Sequence, residues 1–370
     1  MSDITKLWHY QRPDLAQSLA RELAARERLA MFGPRQTGKT TLLREEVIPV
    51  LRDMGLLPIY IECWADRADP MAAINHALTK ALETLELAPG RPARRLARTP
   101  VRKLGAFGAS LELGELPARR LPDSPTLRFD ALLTQLLEAT DKDLVLIFDE
   151  FQAIAEAQGS DDISAGLRAA LTQADKRVGA VFSGSSQHLL LGMFTASKAP
   201  LYNFANARSY PLLREDFVGH VAARFREATQ RDLNQALALN LLERLGHQPA
   251  PFLQVIGNAM SAPGLSLDEA LRVMLSPGVE SVWTVAWRGL KPLHRATLRL
   301  VAQAEAPTSA RSLALIAGQV GKAAVPASSV DRALKSMLAQ GLLEKQSRYE
   351  VADPVMLTWL RANADLPIRE

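Results

Sequence analysis

The stretch GPRQTGKTTLL, Gly33–Leu43, decides how the rest of the chain is read. Two glycines, Gly33 and Gly38, bracket four residues, and Lys39 and Thr40 follow. This is the spacing G-x-x-x-x-G-K-[ST], which carries weight only when a strand feeds the loop and a helix leaves it. Both are expected here. ERLAMF (27–32) is a short apolar run ending at Gly33, and TLLREEVIPVLRDMG (41–55) has helical spacing before a glycine stop. In such a loop the backbone N–H groups curl around phosphates, the glycines permit a close approach, and the helix N-terminus adds favourable partial charge. On this reading Gly33, Pro34, Arg35, Gln36, Thr37, Gly38, Lys39, Thr40 and Thr41 form a phosphate cradle. Lys39 would reach the β- and γ-phosphates, and the Thr40 hydroxyl would hold Mg²⁺, which prefers hard oxygen ligands. The competing reading, a glycine turn that merely caps a helix, does not account for the strand ahead of it.

A cradle binds; hydrolysis needs acidic groups at the end of another buried strand. DLVLIFDE (143–150) supplies them: five consecutive apolar residues read as a buried parallel strand with two carboxylates at its C-terminal end. Asp149 is the expected metal-side carboxylate, and Glu150 the group that orients and deprotonates water. RVGAVFSGSS (177–186) is the next strand, apolar and then abruptly polar. Ser183 or Ser185 would place a hydroxyl between the γ-phosphate and the attacking water, with Ser183 assigned; helix capping by Ser185 or Ser186 is the alternative. A serine-hydrolase reading of SGSSQH fails because G-x-S-x-G is absent. APLYNFANARSYPLLREDF (199–217) carries a fifth strand near 207–213 with Arg208 at its beginning. Arg208 could act as a finger on a neighbouring subunit's γ-phosphate, with Arg214 in reserve; surface ion pairing is the ordinary fate of a lone arginine.

The chain has 370 residues, enough for two or three domains of common size. Its 48% hydrophobic and 23% charged residues are those of an ordinary globular protein, and no apolar run approaches the roughly 18 residues of a membrane span. The start, MSDITKLWHYQRPD, lacks the basic opening and apolar core of a secretory signal, and Cys63 is the single cysteine. A cytoplasmic protein without membrane association is expected. The six histidines are scattered without metal-ligand spacing, so zinc is not expected. A net charge of +4 permits contact with nucleic acid without demonstrating it.

Together the GPRQTGKTTLL run, the LVLIFDEFQAI strand, the VFSGSS strand, the PLY…PLL segment and a basic-aromatic N-terminus resemble the archaeal-type ATPase family, in the STAND branch of AAA+ P-loop ATPases. The resemblance implies an α/β fold: a parallel five-stranded sheet in the order 5-1-4-3-2 with helices on both faces, then a helical lid, then a winged helix. The expected boundaries are 1–213, with a basic insertion near 91–121, 214–277 for the lid and 285–370 for the winged helix. It implies ATP and Mg²⁺ as ligands. It also implies a glycine-glycine-x-proline-like turn near the adenine: LGHQPAPFLQVIG (245–257) matches at Gly246 and Pro249 but holds His247, read as a solvent-facing turn residue, at the second glycine.

The residues support the last domain independently. LHRATLRLVAQ, SARSLALIAGQVG and SSVDRALKSMLAQGLL (293–343) read as three helices, EKQSRYEVADP (344–354) as a wing hairpin and VMLTWLRAN (355–363) as a closing helix. In the third helix Val330, Leu334, Met337 and Leu338 make an apolar face, leaving Arg332 and Lys335, with Lys345 and Arg348 of the wing, to grip phosphates of double-stranded DNA. Use of the same domain as a protein interface is the alternative. GQVGKA (318–323) is no second cradle, since Ile316 and Ala323 stand where a glycine and a hydroxyl are needed. Arg91, Arg94, Arg95, Arg98, Arg102 and Lys103, with Pro92 and Pro100 among them, form a basic loop for nucleic acid or an acidic partner, or a solvated insertion; a hairpin follows. Two functions are expected from these parts. One is an ATP-hydrolysing switch or assembly factor, DNA-associated in transposition, replication loading or defence, with an unidentified protein partner and nucleotide-dependent self-assembly. The other is an ATP-stabilised interaction or transcription-regulating module with negligible turnover.

Overall fold

The computed structural model describes residues 8–66, 68–87, 121–174, 176–278, 281–345 and 347–368; the basic loop and the hairpin expected after it lie outside the described residues. The backbone divides into two compact units, one of Gln11–Pro34 with Gly38–Pro211, the other chiefly of Leu212–Glu370.

In the first unit β1 (Arg28–Phe32), β2 (Leu57–Glu62), β3 (Leu144–Asp149), β4 (Val178–Gly184) and β5 (Asn206–Ser209) form one parallel sheet in the order β2-β3-β4-β1-β5, the order expected. β3 and β4 are buried along their whole length, which is why they read as unbroken apolar runs. Alternation divides them between two faces. Leu144, Leu146, Phe148 and Phe182 enter a core with Ile59, Ile61 and residues of the helices Pro70–Glu86, Pro125–Ala139 and Ser160–Gln173. There the rings of Phe148 and Phe182 stack with centroids 5.1 Å apart, and Phe151 packs tilted against Phe182 at 4.7 Å. The alternate residues Val145, Ile147 and Val181 are equally buried on the opposite face.

The helix leaving the Gly33–Gly38 loop is not uniform. Lys39–Thr41 is α-helical, Leu42–Val47 is a π turn, and Ile48–Asp53 returns to α. Pro49 follows the widened turn and has no N–H for the carbonyl of Glu45, which removes one regular helical bond at that point. The fifth strand is shorter than expected, Asn206–Ser209. Tyr210 N–H still donates to the Phe32 carbonyl at 2.7 Å, and Pro211 then has no donor to extend the ladder.

The second unit opens with the helices Glu215–Thr229, Gln235–Arg244, Pro249–Ser261, Leu267–Met274 and Val282–Gly289. Then come Pro292–Ala302, Ala310–Val320 and Ala327–Ala339, an antiparallel pair β6 (Leu343–Lys345) and β7 (Tyr349–Val351), and a closing helix Pro354–Ala362. Val330, Leu334 and Met337 are buried and Leu338 half-buried, while Arg332 and Lys335 are exposed, as the helical spacing predicts. One core runs through the whole unit, from Phe217 and Phe252 to Leu298 and Trp359.

His247 departs from its expected role as a solvent-facing turn residue. It and Gly246 are both left-handed, at φ +57° and +65°, and the half-buried His247 ring places Nδ1 2.8 Å from the Leu213 carbonyl oxygen. Two successive left-handed residues explain why a double glycine suits this turn; here a side-chain hydrogen bond offsets the cost to a residue with a β-carbon.

Candidate nucleotide site

All five strands run in one direction, so the loop after β1, the end of β3 and the residues after β4 emerge at the same edge of the sheet. This is where open α/β sheets hold ligands. The loop turns through left-handed Gln36 and Gly38, at φ +60° and +97°, directly into the helix at Lys39. The residue ahead of that helix is Gly38, which has no side chain to cap it, and a helix start is where an anion meets backbone donors. Tyr210 backs the loop: a β-carbon on Gly33 would lie 2.9 Å from Tyr210 Cβ, and one on Gly38 would lie 3.3 Å from its hydroxyl. The Arg12 guanidinium donates to that hydroxyl and lies over the Tyr210 ring.

Lys39 is buried, with Nζ donating to the Gly33 carbonyl at 2.7 Å and the Pro34 carbonyl at 2.6 Å. The ammonium therefore lies over the loop's own backbone. Thr40 and Asp149, 109 positions apart, meet: Thr40 Oγ1 donates to Asp149 Oδ2 at 2.6 Å. Asp149 is itself 1% exposed, and its Oδ1 accepts the Glu150 N–H at 3.1 Å. The next residue, Glu150, is left-handed at φ +51°. Its Oε2 accepts from Ser185 Oγ at 2.7 Å and from Gln152 Nε2, and Gln152 Nε2 also reaches Ser185 Oγ at 3.2 Å.

The two candidate serines have different surroundings. Ser185, not Ser183, reaches Glu150; the Ser183 hydroxyl is fully buried and has no hydrogen-bond partner among the described residues. Alternation alone would put both serines on the face of Met31 and Val181; β4 ends at Gly184, so Ser183 stays in the ladder while Ser185 lies beyond it. Arg208 pairs within its own chain. Its guanidinium forms a two-pronged ion pair with Glu22 of the same chain, at 3.1 and 2.5 Å. Pro249 opens the helix Pro249–Ser261 in the other unit.

Three residues that the motifs did not announce join the site. Gln152 is fully buried beside Glu150. Tyr60 and Glu62 come from β2: the Tyr60 hydroxyl lies 2.8 Å from Asp149 Oδ2 and 3.1 Å from Glu62 Oε2. Burial, reinforced by the charge of Asp149, pushes both the Tyr60 hydroxyl and the Glu62 carboxyl up from their ordinary values. A signal for both was present in LLPIYIE (56–62), an apolar run with a polar group at alternate positions.

The donor set fits a nucleotide with Mg²⁺. A lysine and a helix start entered through glycine suit phosphate, while Thr40 and Asp149 together offer hard oxygens to a divalent cation. Among the described residues no helix is long and apolar enough to cross a membrane.

No protein-family model and no curated protein matches the sequence. Solved structures do. A Walker-type ATPase of Pyrococcus abyssi superposes with a TM-score of 0.57 at 18% identity, covering 95% of this chain and 96% of that one. The ORC2 protein of Aeropyrum pernix, solved in ADPNP–ADP complexes, gives 0.52 at 15% identity over 97% and 96%. The ADP form of that protein gives 0.50 at 14% identity over 98% of both chains. The chain shares the α/β fold of these structures, with its glycine loop at the end of β1.

Proposed function

We propose that the chain binds ATP with Mg²⁺ on the loop Gly33–Thr41 and hydrolyses it, with Lys39 on the phosphates, Thr40 and Asp149 on the metal side and Glu150 as general base. The observation that carries this reading is the Thr40–Asp149 hydrogen bond with Glu150 immediately beside it, which joins two distant motifs at one sheet edge. The nucleotide complexes of the Aeropyrum ORC2 protein support the choice of an adenine nucleotide. Bound Mg²⁺ would neutralise charge developing on the phosphoryl oxygens. Lys39 exchanges its two loop carbonyls for phosphate oxygens, so the cradle is held closed on itself until a ligand competes. Glu150 takes the proton of the attacking water, Ser185 and Gln152 donating to one carboxylate oxygen and leaving the other to accept. Pro249 is assigned to the adenine, and Arg208 to a neighbouring subunit's phosphate, for which it must first leave Glu22.

The output is that of a switch or assembly factor in the STAND branch, residues 285–370 forming a winged helix. Duplex DNA is its proposed partner: Arg332, Lys335, Lys345 and Arg348 are exposed there, although Arg348 already pairs with Glu350 at 2.8 Å. The second reading, a module stabilised by ATP with negligible turnover, is favoured by the commitment of Glu150 to two donors and of Arg208 to Glu22. Phosphate release with and without duplex DNA, alongside solution mass in ATP and in ADP, separates the two. Release that DNA accelerates and that Lys39→Ala abolishes supports the switch; nucleotide retention without release supports the module; no retention of Mg·ATP by the wild type refutes both.

A further inference from the structure

Tyr60 brings β2 to the site. In the parallel register Glu62 stands opposite Asp149 and Tyr60 opposite Ile147, so Tyr60 lies two residues behind Asp149 on the same face. The length of the phenol carries its hydroxyl forward to Asp149 Oδ2, at 2.8 Å. That oxygen also accepts the Thr40 hydroxyl at 2.6 Å, and Oδ1 accepts the Glu150 N–H at 3.1 Å. The ring is held from its other side by the Arg44 guanidinium, 4.9 Å from its centroid, on the π turn that follows the loop.

Resting on the nucleotide reading above, we infer that Tyr60 is a positioning residue for the magnesium side of the site. An aspartate carboxylate turns easily about its last torsion, whose energy profile is broad and roughly two-fold. Thr40 is exposed, and water competes for its hydroxyl. Tyr60 is half-buried, stacked under Arg44 and fixed in a sheet strand, so it supplies an anchor that solvent displaces less readily. With the Glu150 amide it fixes the plane of the Asp149 carboxylate, and Asp149 and Thr40 then present their oxygens together to a cation. A phenol has one proton to give; the shorter of its two carboxylate contacts goes to Asp149 rather than Glu62. Groups that orient a metal ligand in this way commonly change metal affinity by about 10–100-fold when removed.

The test is a titration of a fluorescent ATP analogue against the full chain over a series of Mg²⁺ concentrations, for the wild type, Tyr60→Phe, Asp149→Asn and the double variant. Tyr60→Phe keeps the ring and removes only the donor. Its half-saturating Mg²⁺ should rise by about 10–100-fold, its affinity without Mg²⁺ should match the wild type, and the effect should vanish in the Asp149→Asn background. An equal Mg²⁺ requirement in wild type and Tyr60→Phe overturns the inference. So does an undiminished Tyr60→Phe effect when Asp149 is already replaced. A wild type that binds no nucleotide at any Mg²⁺ concentration removes the nucleotide reading and this inference with it, a result distinct from a failure confined to Tyr60.

Discussion

Glu150 pays for its place with backbone strain: at φ +51° a residue with a β-carbon gives up about 1–2 kcal/mol. The contacts from Ser185 and Gln152 hold the carboxylate that this conformation delivers. Ser185→Ala should therefore lower turnover by about 10–100-fold, the equivalent of one hydrogen bond to a charged group, in a steady-state phosphate-release assay. Ser183→Ala should leave turnover unchanged and leave stability equal or higher, because it removes a buried hydroxyl that has no partner among the described residues. At this scale the sequence shows the groups that a motif names and hides those that only packing recruits. Lys39, Thr40, Asp149 and Glu150 were legible because phosphate, metal and water each demand a residue type at a set spacing. Gln152 reads as an ordinary polar residue after FDEF, and the alternation in LLPIYIE marks Tyr60 and Glu62 as polar positions without giving either a role.

Strands and helices were legible where burial is uniform and blurred where an element ends or bends. β3 and β4 stand out because apolar side chains fill both faces of a central parallel strand. β2 carries a weaker signal: it is an edge strand, and Pro58 within it argues against a strand except at an edge. The π turn after the loop was invisible because the sequence spacing there still suits an ordinary helix. Helix and sheet also meet at a point that composition does not reveal. A β-carbon on Gly179 of β4 would lie 2.3 Å from the backbone carbonyl oxygen of Leu23, near the end of the helix Pro13–Ala24. That carbonyl also accepts the Arg26 N–H at 3.0 Å and has little room to retreat. Gly179→Ala should destabilise the protein by about 1–3 kcal/mol, the common cost of overpacking, read as a lower denaturant midpoint at unchanged slope.

Over the whole molecule, two histidines of the second unit couple stability to pH. Burial, with Arg224 and His9 nearby, holds His220 below the ordinary histidine value, and burial with Lys291 nearby does the same for His294. The folded state thus binds fewer protons than the unfolded one in this range. Their contribution is full above the unfolded value of 6.5 and is lost as pH falls below it through the lowered folded values. A variant with both His220→Phe and His294→Phe should lose less stability than the wild type between about pH 7 and about pH 5 in parallel denaturant titrations. The chain's broad plan was legible because the glycine loop, the acidic strand end and the helix-hairpin-helix close are each local patterns. The Glu22–Arg208 pair, the Gln152–Glu150–Ser185 cluster and the Tyr60 contact join residues remote in sequence, and only the folded sheet brings them together. The most direct test of the account is single-turnover phosphate release from bound Mg·ATP by Glu150→Gln. With Glu150 as general base, this variant should retain Mg·ATP as the wild type does and release phosphate about 10²–10⁴-fold more slowly. Release at the wild-type rate would contradict it.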